Sequence, residues 1–136
     1  MRAATTILAA VLAATLMTGC GQDDPEPIEL ARQACGGVGT DGQHLTPDPE
    51  STGIDADDAA SLVDETDRRA DLAASAAVRD PRWNRLADAL SWLATEVEDV
   101  RSRSAATGSA AATDEPETFA QTLAAIESEC RKANAA

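Results

Sequence analysis

Apolar residues recur at helical spacing along most of the chain. The clearest series is formed by Trp83, Leu86, Leu90, Leu93, Val97 and Val100. A weaker series precedes it and consists of Ala59, Leu62, Val63, Thr66, Ala70, Ala73 and Ala77. A third follows it and consists of Phe119, Leu123, Ile126 and Cys130. Because residues three and four positions apart share one face of a helix, each series predicts an amphipathic helix with a buried side.

A shorter helix is predicted before these three. Ile28, Ala31 and Cys35 also recur at helical spacing, and Gly36-Gly37 provides a stop, which indicates a helix over Pro27 to Cys35. The following residues, 36–53, cluster Gly, Pro, Asp and Thr without apolar periodicity. They therefore predict a long loop.

Capping residues delimit the three longer helices. Asp55 is the expected cap of the first, which should run to about Val78. Asp80-Pro81 combines a cap with proline at the first helical position, so one helix should end and the next begin there. A Ser/Ala/Thr/Gly stretch over 104–113 should separate the last two helices, and Asp114 should cap the last one.

These elements predict an all-α fold. We expect a small bundle of three main helices plus a short N-terminal helix. If the three main helices run up, down and up, the end of the last one lies near the turn at Asp80.

The N-terminus has the features of an export signal. Arg2 supplies a positive charge, and residues Ile7 to Met17 form an apolar run that contains a single polar residue, Thr15. A membrane-spanning helix needs about 20 apolar residues, and this run is roughly half as long. It therefore indicates a leader and not a permanent transmembrane anchor.

The residues that close this leader, Leu16-Met17-Thr18-Gly19-Cys20, resemble the lipobox of bacterial lipoproteins. That family prefers Leu where this chain has Met17. The resemblance implies cleavage before Cys20 and a diacylglyceryl thioether on its sulfur, so the protein would be held on the extracytoplasmic face of the cell membrane. The alternative is an ordinary secretory signal followed by a coincidental free Cys20.

This resemblance divides the chain into three parts. Residues 1–19 would be the signal peptide, 20–27 a lipidated tether, and 28–136 a helical extracytoplasmic domain. The Ala/Arg/Asp-rich composition is similar to that of small uncharacterised lipoproteins of high-GC actinobacteria. The remaining length suits one domain of ordinary size.

An exported location makes a disulfide the natural interpretation of Cys35 and Cys130. Such a bond would pin the short N-terminal helix to the last helix. The competing interpretation is a metal site, which would need further ligands, and the sole histidine is His44. We therefore expect neither a metal nor a cofactor.

The charge of the chain excludes some partners. The formal net charge is −13, and it becomes −14 when Arg2 is removed with the leader. Such an acidic protein is not expected to bind nucleic acid, and its composition also argues against adsorption to anionic lipid headgroups. The expected contact with the membrane is the lipid on Cys20.

Catalytic motifs are missing from the sequence. His44 is the one candidate base, and it lies in the predicted Gly/Pro-rich loop without a nucleophile elbow elsewhere. A P-loop, a dinucleotide-binding glycine motif, an HExxH helix and an EF-hand loop are also absent. We therefore expect a protein that is not an enzyme.

Trp92 does not belong to the main apolar series of its helix. It follows Trp83 by nine positions, which places it on the opposite side, among Arg85, Asp88 and other charged residues. One interpretation is that the first helix or the long loop covers it. The other is that Trp92 and Arg85 bind a partner, because Trp and Arg are enriched at binding hot spots.

The sequence therefore predicts a lipid-anchored, non-enzymatic helical domain that interacts with an exported or envelope protein. The alternative is a lipoprotein that binds a small molecule or a cation.

Overall fold

A computed structural model describes residues 24–36, 38 and 56–136, and most of them are helical. The α-helices in these ranges are α1 (Pro27–Cys35), α2 (Ala56–Arg79), α3 (Asn84–Thr107) and α4 (Pro116–Ala135). A short 3-10 turn, Pro81–Trp83, joins α2 to α3. This part of the chain contains no β-strand, so the predicted all-α class is confirmed.

The short first helix has the bounds that its sequence predicts. Proline occupies its first turn, where the missing N–H costs no hydrogen bond. Gly36 ends it in the left-handed conformation with φ 53°, and its N–H donates to the carbonyls of Arg32 and Gln33. The predicted loop over 39–53 and the proposed cap at Asp55 lie outside the described residues.

The corner between α2 and α3 forms at Asp80-Pro81, as predicted. The Asp80 carboxylate accepts a hydrogen bond of 3.1 Å from the backbone N–H of Arg82. Trp83 is buried there, and the Arg82 guanidinium lies 4.8 Å from the centre of its ring. We call the segment from Val78 to Arg85 the α2–α3 corner.

The turn between α3 and α4 differs from the prediction at both ends. α3 continues to Thr107, because serine, alanine and threonine do not stop a helix, whereas Gly108 adopts φ 66° and does. The residue that precedes α4 is Glu115, and it makes no side-chain capping bond. The predicted cap Asp114 instead forms an ion pair with Arg103.

The hydrophobic core lies at the end of the bundle where all four helices meet. Large side chains are few, and Leu86, Leu90 and Ile126 are the largest apolar ones that are fully buried. Alanines of α1, α2 and α4 fill the space between them: Ala31, Ala34, Ala73, Ala76 and Ala133. The small side chains let the helix backbones approach closely, so the core is thin.

A disulfide joins Cys35 at the end of α1 to Cys130 in α4, which confirms the predicted pair. The two Cα atoms are 5.5 Å apart and 95 residues apart in sequence. Both cysteines are almost completely buried. The bond therefore holds the short helix against the bundle from inside the core.

Arg69 of α2 also holds the end of α1. Its Nη1 donates to the Cys35 carbonyl at 3.2 Å, and its Nε donates to the Glu65 carboxylate at 2.6 Å. Hydrogen bonds from Arg69 and Arg68 lower the pKa of Glu65 from its ordinary 4.5, so the carboxylate stays ionised to more acidic pH. The carbonyl end of α1 thus receives a cation, which its dipole favours.

Hydrogen bonds join the end of α4 to α1 and to Val38, three residues after the end of α1. Arg32 donates from Nε to the Ala133 carbonyl at 3.1 Å, and Asn134 donates from Nδ2 to the Val38 carbonyl at 3.0 Å. These bonds flank the disulfide. Within the described residues, no helix is both long enough and apolar enough to span a membrane.

Removal of the disulfide should weaken the whole domain. In the chain-entropy model, a bridge across about 95 residues contributes roughly 4 to 5 kcal/mol, and measured losses are usually 2 to 5 kcal/mol. We expect Cys35→Ala/Cys130→Ala to lower the free energy of unfolding by that amount in urea denaturation. Reductant should destabilise the wild type and leave the double variant unchanged. Equal stability of the two oxidised proteins would contradict this role.

Gly36 should tolerate a side chain less well than Gly108, although both have positive φ. A Cβ at Gly36 would lie 2.6 Å from Nη2 of Arg69, whereas a Cβ at Gly108 would meet nothing within 4 Å. Gly108→Ala should therefore lower the free energy of unfolding by about 1 kcal/mol, which is the cost of the positive φ alone. Gly36→Ala should lower it by about 2 kcal/mol, because Arg69 must also move. Equal losses in thermal and urea unfolding would show that Arg69 does not matter.

Candidate functional site

The tether reaches the bundle at the α2–α3 corner. The Pro25 carbonyl accepts a hydrogen bond of 2.8 Å from Nη1 of Arg79, and the Asp24 carboxylate lies 4.0 Å from Nη2 of the same residue. Cys20, the predicted lipidation site, lies outside the described residues. The first described residues are thus held where α2 ends.

The disulfide is buried inside the core. Cys35 is 1% exposed and Cys130 is 0% exposed, so solvent and partners do not reach the sulfur atoms. An inaccessible disulfide is unsuited to thiol exchange.

Trp92 is half-buried, and its aromatic partner is Phe119 of α4. The ring centres are 6.4 Å apart and the ring planes are tilted by 50°. This geometry falls within the range of favourable aromatic pairs. The periodicity of α4 placed Phe119 on its buried stripe, and only the packing of α4 on α3 brought the two rings together.

The exposed side of Trp92 has a polar border. Asp88, Thr95 and Asp99 are exposed and stand four residues before, three after and seven after Trp92, which places them on the same side of α3. The Trp92 side chain therefore offers a partly accessible aromatic surface between carboxylates. We call Trp92, Phe119 and these three residues the aromatic patch.

Arg85 lies on the same side of α3 as Trp92, two turns earlier, but it has a different role. Its Nε is 3.7 Å from Oε1 of Glu129, whose side chain is only 3% exposed. Lys132 contacts the same oxygen at 2.8 Å. A buried carboxylate needs such compensation, and removal of one partner from a buried pair is strongly destabilising.

Glu129 is a residue that the sequence analysis did not single out. It stands three positions after Ile126 and one before Cys130, so it falls beside the apolar stripe of α4. A carboxylate at that position is a signal of a buried ion pair. Its partner on α3 depends on tertiary structure.

A second surface feature is an open cleft of about 550 Å³ between α2 and α3. Its apolar lining consists of Ala70 and Ala94. Its remaining lining is Asp67, Asp71, Ser91, Thr95, Glu98 and Asp99. Arg101 donates hydrogen bonds to Glu98 and thereby lowers the pKa of Glu98 from its ordinary 4.5, so the Glu98 carboxylate stays ionised to more acidic pH.

The carboxylates of the cleft are not arranged as a metal centre. Over the described ranges, no group of three or more His, Cys, Asp or Glu side chains is placed to hold a metal ion. Asp67, Asp71 and Asp99 could still attract an organic cation.

Comparisons with known proteins leave the fold without an assigned family. No protein-family model, curated protein or solved structure matches this chain significantly. The function must be inferred from the residues themselves.

Proposed function

We propose that this chain is a lipid-anchored extracytoplasmic protein whose helical domain binds an exported or envelope protein without catalysing a reaction. The single observation that carries the proposal is the motif Leu16-Met17-Thr18-Gly19-Cys20 behind a short apolar leader. Its resemblance to a lipobox supplies both the location and the modified atom, the Cys20 sulfur.

The disulfide supports an extracytoplasmic location independently of the leader. Structural disulfides persist in oxidising compartments and are rare in the cytosol of most organisms. A protein with a buried Cys35–Cys130 bond in its core fits export, because the bond must form during folding and then endure.

The aromatic patch supports a protein partner. A partly exposed Trp beside a Phe and a polar rim has the composition of a small interface centre. Arg85, the other candidate, is bound to Glu129, so we assign partner binding to Trp92 and a compensating role to Arg85.

The cleft between α2 and α3 favours a second candidate function, which is binding of a small organic cation. Three of its carboxylates, those of Asp67, Asp71 and Asp99, would attract a polyamine, whereas Glu98 is already paired with Arg101. A melting temperature that does not change with a linear polyamine at low salt would exclude this candidate.

Lipidation of Cys20 can be measured in cells that express the full-length chain. We expect the wild type to incorporate an alkyne fatty acid and to fractionate with membranes, and Cys20→Ala to do neither, because the thioether needs the sulfur. A matched variant, Thr18→Ala, should keep the label, since it retains the small residue and the cysteine. Labelling of Cys20→Ala, or an unlabelled wild type, would refute the proposal.

The aromatic patch can be tested by photocross-linking in intact cells. A photoreactive side chain in place of Asp88 should capture an exported or envelope protein, whereas the same side chain in place of exposed Ala124 on α4 should not. Trp92→Ala should abolish the adduct at position 88. Because Trp92 is only half-buried, this substitution should lower the free energy of unfolding by only about 1 to 2 kcal/mol, so that the domain still folds. An adduct that is independent of Trp92 would contradict a role for this residue.

A further inference from the structure

The α2–α3 corner lies close to the point where the chain would be anchored. Three residues lie between Cys20 and Asp24, so the four steps from one to the other span at most about 14 Å when fully extended. Arg79 binds the Pro25 carbonyl, so the tether does not swing freely beyond that residue. A lipid on Cys20 would therefore keep the corner within a short distance of the bilayer.

The opposite end of the bundle is much farther from this anchor. α3 starts at the corner and contains 24 residues, which corresponds to about 36 Å at 1.5 Å per residue. Gly108 and the turn to α4 lie at its far end. The tether thus distinguishes a membrane-proximal end from a distal end.

Basic side chains are concentrated at the proximal end, although the whole chain is acidic. The corner itself contains three arginines within seven consecutive positions, namely Arg79, Arg82 and Arg85. Their side chains are 41%, 56% and 69% exposed. Lys132 of α4 is 60% exposed and meets Arg85 at Glu129. The corner therefore presents cationic groups to its surroundings.

The acids near the corner are engaged with these cations. Asp24 lies beside Arg79, Asp80 beside Arg82, and Glu129 beneath Arg85 and Lys132. Glu26 and Glu29 of the tether and α1 also lie on this side, so four cations stand among five acids and the corner is close to neutral and not positive. The acidic cleft, in contrast, begins at Asp71, about two turns of α2 from Arg79.

Val78 adds an apolar contact to the corner. It is 87% exposed, directly before Arg79. An apolar side chain this exposed suits the boundary between headgroups and acyl chains of a bilayer.

We propose that the α2–α3 corner, with the exposed side chain of Val78, faces the headgroup layer of the membrane. The inference depends on the proposed lipidation of Cys20, which supplies the anchor. The aromatic patch and the cleft would then lie above the bilayer surface, where an exported partner can reach them.

The orientation can be tested with the mature chain, residues 20–136, in its oxidised form. Because Cys35 and Cys130 are bonded to each other, Cys20 is its one free thiol and can be coupled to a maleimide phospholipid in vesicles that contain anionic lipid. A fluorescent non-canonical side chain replaces Val78 in one variant and exposed Ala110 in the other. A nitroxide on the lipid headgroups serves as the quencher.

We expect quenching at position 78 to exceed quenching at position 110 by about threefold or more, since the two ends are separated by about 36 Å. Equal quenching, stronger quenching at 110, or no quenching at either position would overturn the proposal. Because the lipid is attached chemically, this result does not depend on acylation in cells. Failure of the proposed function would instead appear as loss of fatty-acid labelling at Cys20.

Discussion

The arrangement of this domain depends on the covalent link between Cys35 and Cys130. α1 has only nine residues, which is too short for a stable isolated helix in water. The bond fixes its end inside the core, where Ala31 and Ala34 pack against the main helices. In a protein with so few large apolar side chains, such a cross-link takes over part of the stabilisation that a larger core would supply.

Hydrogen bonds from arginine side chains also hold α1 in place, and these bonds are directional. Arg69 binds the last carbonyl of the helix, and Arg32 reaches across to α4. Arg79 holds the chain just before α1 begins. Because these three arginines act at different points along α1, they determine its direction as well as its position. The tether consequently enters at the α2–α3 corner.

The net charge of the chain does not describe how its charged residues are distributed over the folded domain. A formal charge of −13 suggests a protein that an anionic surface repels as a whole. In the folded domain, Arg79, Arg82 and Arg85 lie together at the corner, whereas Asp67, Asp71 and Asp99 line a cleft farther along the bundle. A surface that approaches the corner therefore meets a balanced region, and one that approaches the cleft meets carboxylates.

The sequence alone determined the helices and most of their ends, because apolar spacing, proline and glycine act over a few residues. Pro27 to Cys35 and the break at Asp80-Pro81 were predictable for this reason. The cysteine pair was predicted on a different ground, the expected export of the chain. Local signals were insufficient at the turn between α3 and α4: Asp114 pairs with Arg103 instead of capping α4, and α3 continues to Thr107 before Gly108 ends it. Only the tertiary structure decided that Trp92 meets Phe119 and that Glu129 is buried beneath Arg85 and Lys132. Those contacts join different helices, and their formation depends on how the helices pack and not on the order of residues within any one of them.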